Sequence, residues 1–333
     1  MMSSAGMKER LTTVLEAFAV GDAMGMPTEF MTRLEIQSTF GLVSRLLEPE
    51  ESKNHRDLPR GSITDDTEQN LYLLKAYCEQ GLVSCDLTAS TLLRWVQETD
   101  AVAKKYIGPS SLRALKAIQE GMDPRLAGRS GTTCGGLMRT LAAVFCTHGG
   151  DGLMENIVEC LIPTHYTSQA LEAAGAYAFA LRAALEGCSI EEILQQALLG
   201  AQQGMDRAPY IACAASSAAR IHHVVNFVPG TKLTDPFLDY LYGVLGTGLE
   251  SADVCAAVFA LFLFAKEDVW LVIQLGASVG GDTDTIAALA GALCAAYAGG
   301  HNIPPEVLKE VVARNSLDLP AVAARVIDAF GTV

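Results

Sequence analysis

A chain of 333 residues, half of them apolar and only 19% charged, has room for one large domain or two ordinary ones and can bury a substantial core. Its net charge of −14 argues against direct nucleic-acid binding, because gripping a polyanion takes clustered Lys and Arg. Its nine cysteines are odd in number, scattered and without C-x-x-C spacing, which argues against a disulfide framework or a thiolate zinc site and fits small buried hydrophobes in a reducing cytosol.

The first ten residues lack the apolar stretch of a signal peptide, so a flexible lead over 1–10 and a cytoplasmic protein are expected. Residues 11–25 read as a helix running into a loop, with Gly21 and Gly25 flanking Asp22 and Pro27 stopping the element. Glu29 follows the Gly/Pro break, as a functional carboxylate or as an ordinary loop acid. Residues 41–60 are polar and irregular and read as a surface excursion. The run Gly61-Ser-Ile-Thr-Asp-Asp-Thr-Glu68 then opens a helix at about residue 71. Asp65 and Glu68 have capping-box spacing. Capping does not account for two adjacent acids that repel one another, and a shared cation accounts for them better.

Helices are expected over 87–98 and 112–120, broken at Gly108-Pro109. The Gly/Thr-rich stretch 128–136 empties into a helix beginning near Leu137. Free backbone N–H groups make such a loop an anion site, although it matches neither the Walker nor the dinucleotide pattern. His165 stands just before a helix over 170–185, as a ligand contact or as a structural histidine. Helices follow over 190–203 and 209–225, then a loop over 228–236. His222 and His223 have no spaced partners and receive no metal role. Residues 249–264 read as a helix with a capping serine near its start. The apolar run 254–265 is too short to span a bilayer, so no membrane association is expected.

The densest chemistry is Gly280-Gly-Asp-Thr-Asp-Thr285, which feeds an almost unbroken small-apolar run to residue 300. That run reads as a buried helix. One acid suffices as an N-cap. Two acids and two hydroxyls at a buried helix mouth suit a hard divalent cation. If this cluster meets the earlier one in space, Thr64, Asp65, Asp66, Asp282, Asp284 and Thr285 could ligate two ions about 3.5–4 Å apart through a bridging carboxylate. Two helix N-termini would oppose the cations, and four full charges at contact distance outweigh them. With no strand alternation and no internal repeat, the chain is expected to be all-α, a single compact domain with its acids at helix mouths.

Five stretches, in this order and spanning nearly the whole chain, together resemble the ADP-ribosylglycohydrolase family. They are Gly21-Asp-Ala-Met-Gly-Met-Pro-Thr-Glu29, Thr64-Asp-Asp-Thr67, Gly135-Gly-Leu-Met-Arg139, Pro163-Thr-His165 and Gly280-Gly-Asp-Thr-Asp-Thr285. The resemblance implies an all-α multi-helix bundle over 1–333 with a dinuclear Mg²⁺ site, Mn²⁺ being the other candidate. It implies metal ligation by Thr64, Asp65, Asp66, Asp282, Asp284 and Thr285, with Glu29 as the catalytic-loop glutamate and Asp65 or Asp66 as other general acid–base candidates. It implies that Gly131, Thr132, Thr133, Cys134, Gly135 and His165 hold ADP-ribose. The expected partner is ADP-ribose on a protein or small molecule, met by a monomer. Cys134 departs from the Asn common at that position, and a thiol is a poorer hydrogen-bond partner than an amide. This departure leaves open hydrolysis of an N-glycosidic bond in a nucleoside- or nucleotide-like metabolite, and the resemblance also leaves open a catalytically silent ADP-ribose-binding protein.

Overall fold

Polar caps and glycines set the helix ends. Thr64, Ser84, Thr167, Ser189, Ser216 and Asp268 each accept a backbone N–H at a helix start, and Gly81 and Gly299 end helices in the left-handed conformation. The structure, a computed structural model, describes residues 4–104, 106–149, 152–228 and 233–331. Among these residues no strand forms, and extended pairing is confined to the isolated bridges Thr133–Glu250 and Thr167–Tyr210. The fold is an all-α bundle, as the sequence predicts. None of its described helices is long and apolar enough to cross a membrane.

At its centre lie the helices Ser168–Leu185, Ser251–Ala265 and Thr283–Ala298, whose residues are buried nearly all round. Burial on every face is why their Ala- and Leu-rich sequences carry almost no charge. The opening helix, Ser4–Gly25, packs on Thr283–Ala298 backbone to backbone. A Cβ added at Gly21 would lie 2.5 Å from the Ala287 carbonyl oxygen, and one at Gly25 would lie 2.3 Å from that of Thr283. Only glycine permits this approach. Gly21 and Gly25 are thus packing residues inside a helix, not the loosening of one.

Several boundaries differ from the sequence expectation. Residues 4–10 belong to the opening helix, and 1–3 lie outside the described residues. Arg10 fixes this end by donating to the carbonyls of Ala184 and Ala296 at the ends of two core helices. The 41–60 segment is not wholly superficial, because Val43, Leu46, Leu47, Ser52 and His55 are buried. Residues 209–216 are not helical, and the helix begins only at Ser217. The buried Glu172 carboxylate accepts from Ser216 Oγ, Ser217 N and Ala218 N, which places the helix start there against local propensity. In the predicted 228–236 loop, residues 229–232 lie outside the described residues, and Thr234–Tyr240 is helical.

Candidate active site

Three distant stretches meet at two helix starts. Asp22 lies inside the opening helix, fully buried. It accepts the backbone N–H and hydroxyl of both Thr64 and Thr67 at 2.6–3.1 Å. A remote carboxylate thus caps the Asp65–Gln80 helix and offsets the positive end of its dipole. The predicted Asp65/Glu68 capping box does not form. Thr64 is the N-cap, and Glu68 instead accepts from Trp95 Nε1 and Tyr106 OH, both at 2.8 Å.

The second start is built by Gly280 and Gly281, at φ +86° and +83°. A Cβ on Gly281 would sit 2.0 Å from the Thr247 carbonyl oxygen, to which Asp282 N donates at 2.8 Å. The turn sends Asp282, Asp284 and Thr285 toward the first cluster. Thr285 Oγ1 donates to both Asp66 oxygens, at 3.1 and 3.3 Å, across 219 residues of sequence. Carboxylate oxygens of Asp22, Asp66 and Asp284 lie within 4.8 Å of one another, and so do those of Glu29, Asp282 and Asp284. Asp284 belongs to both groups. Its Oδ1 is buried with no hydrogen-bond partner among the described residues.

So many buried acids raise one another's pKa. Burial pushes Asp22 up to about 7; Asp284 adds to this, while the Thr67 and Thr64 donors pull it back. Burial, followed by the charge of Asp284, holds Glu29, Asp65, Asp66 and Asp282 well above the usual carboxylate range. Asp284 is also raised by burial, with His55 opposing. Such a cluster stays buried only if protons or cations balance it. All-oxygen donors with an unpartnered Asp284 oxygen fit hard divalent cations better than soft ones.

A cavity of about 250 Å³ opens onto this cluster. Glu29, Asp65, Asp282, Asp284 and Thr285 form its acidic wall, and Thr133, Cys134 and Gly135 face them. Phe30, Tyr106, Met138 and Leu249 supply apolar surface, and among the described residues no Lys, Arg or His lines the cavity. Cys134 Sγ donates to Asp282 Oδ2 at 2.8 Å, and burial pushes its thiol pKa up, so it is a neutral donor. Asp65 Oδ2 accepts from Gln69 Nε2 at 3.1 Å. Thr64 and Asp66 do not reach the cavity wall, and the Thr64 hydroxyl is directed at Asp22.

The glycine loop divides. Thr133, Cys134 and Gly135 line the cavity, whereas Gly131, Thr132 and His165 do not. Gly131 is pressed on Thr164, where a Cβ would lie 2.0 Å from the carbonyl oxygen. His165 is completely buried, with Nε2 3.1 Å from Thr133 Oγ1 and Nδ1 2.8 Å from Thr164 Oγ1. Burial, then nearby Arg139, push its pKa well below the usual value, so it is a neutral prop beneath the loop. The serine predicted to cap the 249–264 helix instead donates Oγ to the Thr132 and Thr133 carbonyls, tethering the loop from the other side.

Two site residues carried no role in the sequence reading. Asp22 had a usable signal, an acid amid small and apolar residues. His55 had none. It comes from the irregular 41–60 segment, and its Nε2 is hydrogen-bonded to the Glu29 carboxylate.

In this all-helical bundle, buried carboxylates meet at two helix starts beside a cavity, an arrangement that could hold a divalent cation. A family model described as ADP-ribosylglycohydrolase matches residues 3–332, and the chain belongs to that family. It is therefore a glycosidic-bond hydrolase. The chain is 32% identical over 314 residues to the uncharacterized protein YegU of Escherichia coli (strain K12), covering 93% of this chain and 94% of that one. It is 25% identical over 315 residues to the ADP-ribosylarginine hydrolase Tri1 of Pseudomonas putida (strain GB-1), covering 91% of this chain and 74% of Tri1. A solved structure titled ADP-ribosylglycohydrolase-related protein complex superposes with a TM-score of 0.68 at 25% identity, covering 98% of this chain and 99% of that one.

Proposed function

We propose that the protein removes ADP-ribose from a modified protein or small molecule by hydrolysing the glycosidic bond at C1″, in a reaction dependent on two divalent cations, Mg²⁺ or Mn²⁺. The observation that carries this is the pair of acid groups sharing Asp284, one of whose oxygens is buried without a hydrogen-bond partner among the described residues. In this reading Thr64, Asp65, Asp66, Asp282, Asp284 and Thr285 supply the donors, and Asp22 holds the first cluster in place. Ions bound there would supply positive charge to orient the ribose hydroxyls and a water.

The chain's own residues do the rest. Glu29 and Asp65 line the cavity and are placed to move a proton, and their raised pKa values suit an acid–base group working near neutrality. Asp282 and Asp284, on the same wall, would stabilise the carbon that becomes oxocarbenium-like as the bond breaks. The backbone at Gly135, on the opposite wall, would hold the diphosphate. Thr133 and Cys134 shape the same wall, and Cys134 fixes the rotamer of Asp282.

One observation favours a second reading. A cavity of about 250 Å³, with no cationic side chain among the described residues, suits a compact ribosyl metabolite better than a whole dinucleotide-sized ligand. Incubation with ADP-ribosylated arginine, ADP-ribosylated serine and a panel of nucleosides, each with and without chelator, separates the two. Chelator-sensitive release of ADP-ribose supports the first. Turnover of nucleosides alone replaces it with the second. Turnover of any substrate undiminished by chelator removes the cations from the mechanism.

A further inference from the structure

Residues 52–58 form a turn with its own bonds against the Glu29 side of the site. Ser52 Oγ accepts His55 N at 2.9 Å, His55 O accepts Leu58 N at 3.1 Å, and Arg56 Nε donates to Ser52 O at 3.0 Å. This turn reaches Glu29 twice. Asn54 Nδ2 donates to the Glu29 carbonyl at 2.8 Å, and His55 Nε2 is hydrogen-bonded to the Glu29 carboxylate. Lys53 pairs at 2.9 Å with Glu35, which closes the capping box on Thr32 at the far end of the same stretch.

The stretch held in this way is strained. Phe30 has φ 60°, a conformation disfavoured for a bulky L residue. On its inner side it is tied to the second acid loop, since Phe30 N donates to Gly281 O at 2.8 Å and Gly281 N to Met31 O at 3.0 Å. Glu29 therefore sits between two anchors, one on the acid cluster and one on residues 54–55. Behind the outer anchor lies a separate cavity of about 440 Å³, lined in part by Asn54, His55 and Tyr106. A strained turn with open volume beside it needs a restraint to stay in one place.

We infer that Asn54 and His55 are positioning residues for the hydrolysis. They hold the strained Glu29–Phe30 turn closed, so that the Glu29 carboxylate stays beside Asp282 and Asp284. The catalytic part of this inference rests on the function proposed above, and the structural part does not.

The test compares wild type with Asn54→Ala, His55→Ala and His55→Gln, the last keeping a hydrogen-bond donor at a similar reach. Amide hydrogen exchange over residues 26–32 is read in all four proteins, and kcat and KM are measured on the substrate the wild type turns over. Expected are faster exchange in both alanine variants and a kcat lowered about tenfold or more with KM changed less than about threefold. His55→Gln is expected to recover most of both, which a merely structural role would not produce. The Mg²⁺-induced rise in Tm should persist in all three variants, since none removes a proposed ligand. Unchanged exchange over 26–32 in both alanine variants overturns the inference. So does a wild-type kcat in His55→Ala. If the wild type cleaves no ADP-ribosyl substrate, the proposed function fails while the exchange measurement still decides the restraint.

Discussion

Asp284 concentrates the electrostatics of this protein in one side chain. It takes part in both acid groups, raises the pKa of its neighbours and keeps one buried oxygen without a hydrogen-bond partner among the described residues. Asp284→Asn should therefore abolish turnover and, in the same protein, remove the rise in Tm on adding Mg²⁺. An active variant with an intact metal shift would show that the charge of Asp284 is dispensable. The acids also predict a pH dependence. A carboxyl whose folded pKa is raised contributes stability that is full below its unfolded pKa and is lost as pH rises through the folded value, about 7 for Asp22. Chelated protein should lose Tm between about pH 5 and about pH 8, and the Mg²⁺ increment should grow over the same interval. His55 and His165, both lowered by burial, work in the opposite sense, since their contribution is lost as pH falls. Two histidines against six raised acids leave the sign with the acids. A Tm in chelator that rises toward pH 8 would contradict this. At this scale the sequence was legible where chemistry is dense and local: Asp65, Asp66, Asp282, Asp284 and Thr285 announce themselves as doubled acids and hydroxyls beside glycine. His55 was not legible, because its role depends on a contact across 26 residues of irregular chain.

Among the elements, the seam between Ser4–Gly25 and Thr283–Ala298 governs how closely Asp22 and Asp284 approach. A Cβ at Gly25 would lie 2.5 Å from the Asp284 backbone nitrogen, so Gly25→Ala must push the two helices apart. Overpacking of this kind costs about 1–3 kcal/mol or more. The expected outcome is a Tm several degrees lower and weaker Mg²⁺ stabilisation, with Gly300→Ala, which meets nothing within 4 Å, as the near-neutral control. Equal Tm values for the two variants would refute the seam. Helix identity was readable from Ala/Leu runs and caps, but helix partnership was not. Gly21 and Gly25 read as loop residues because local sequence does not say whether a glycine serves flexibility or close approach. Ser251 read as a cap for the same reason, when its hydroxyl reaches the Thr132 and Thr133 carbonyls more than a hundred residues away. Residues 209–216 read as helix because the deciding bonds come from Glu172.

At the scale of the whole molecule, the opening helix, the Asp65–Gln80 helix and the Thr283–Ala298 helix share one site and one core. We expect the chain to unfold as a single domain. Calorimetry of chelated protein should show one transition, and Mg²⁺ should move all of it. Two transitions, only one of them moved, would divide the chain into separate units. The all-α class was legible from the absence of alternating strands. The convergence of 64–66 with 282–285 was legible only as a consequence of reading the two acid clusters as one centre, and the arrival of Asp22 there was not legible.

That convergence has a bearing on biosynthesis. A ribosome that has delivered the first two hundred and eighty residues has produced Asp22, Asp65 and Asp66 but not the side chains that face them. The incomplete polypeptide has neither the second acid loop nor the helix that closes on Gly21 and Gly25. Hydrolytic competence should therefore arrive abruptly, only once the closing segment has left the exit tunnel. Prematurely terminated products would be inert instead of partly active.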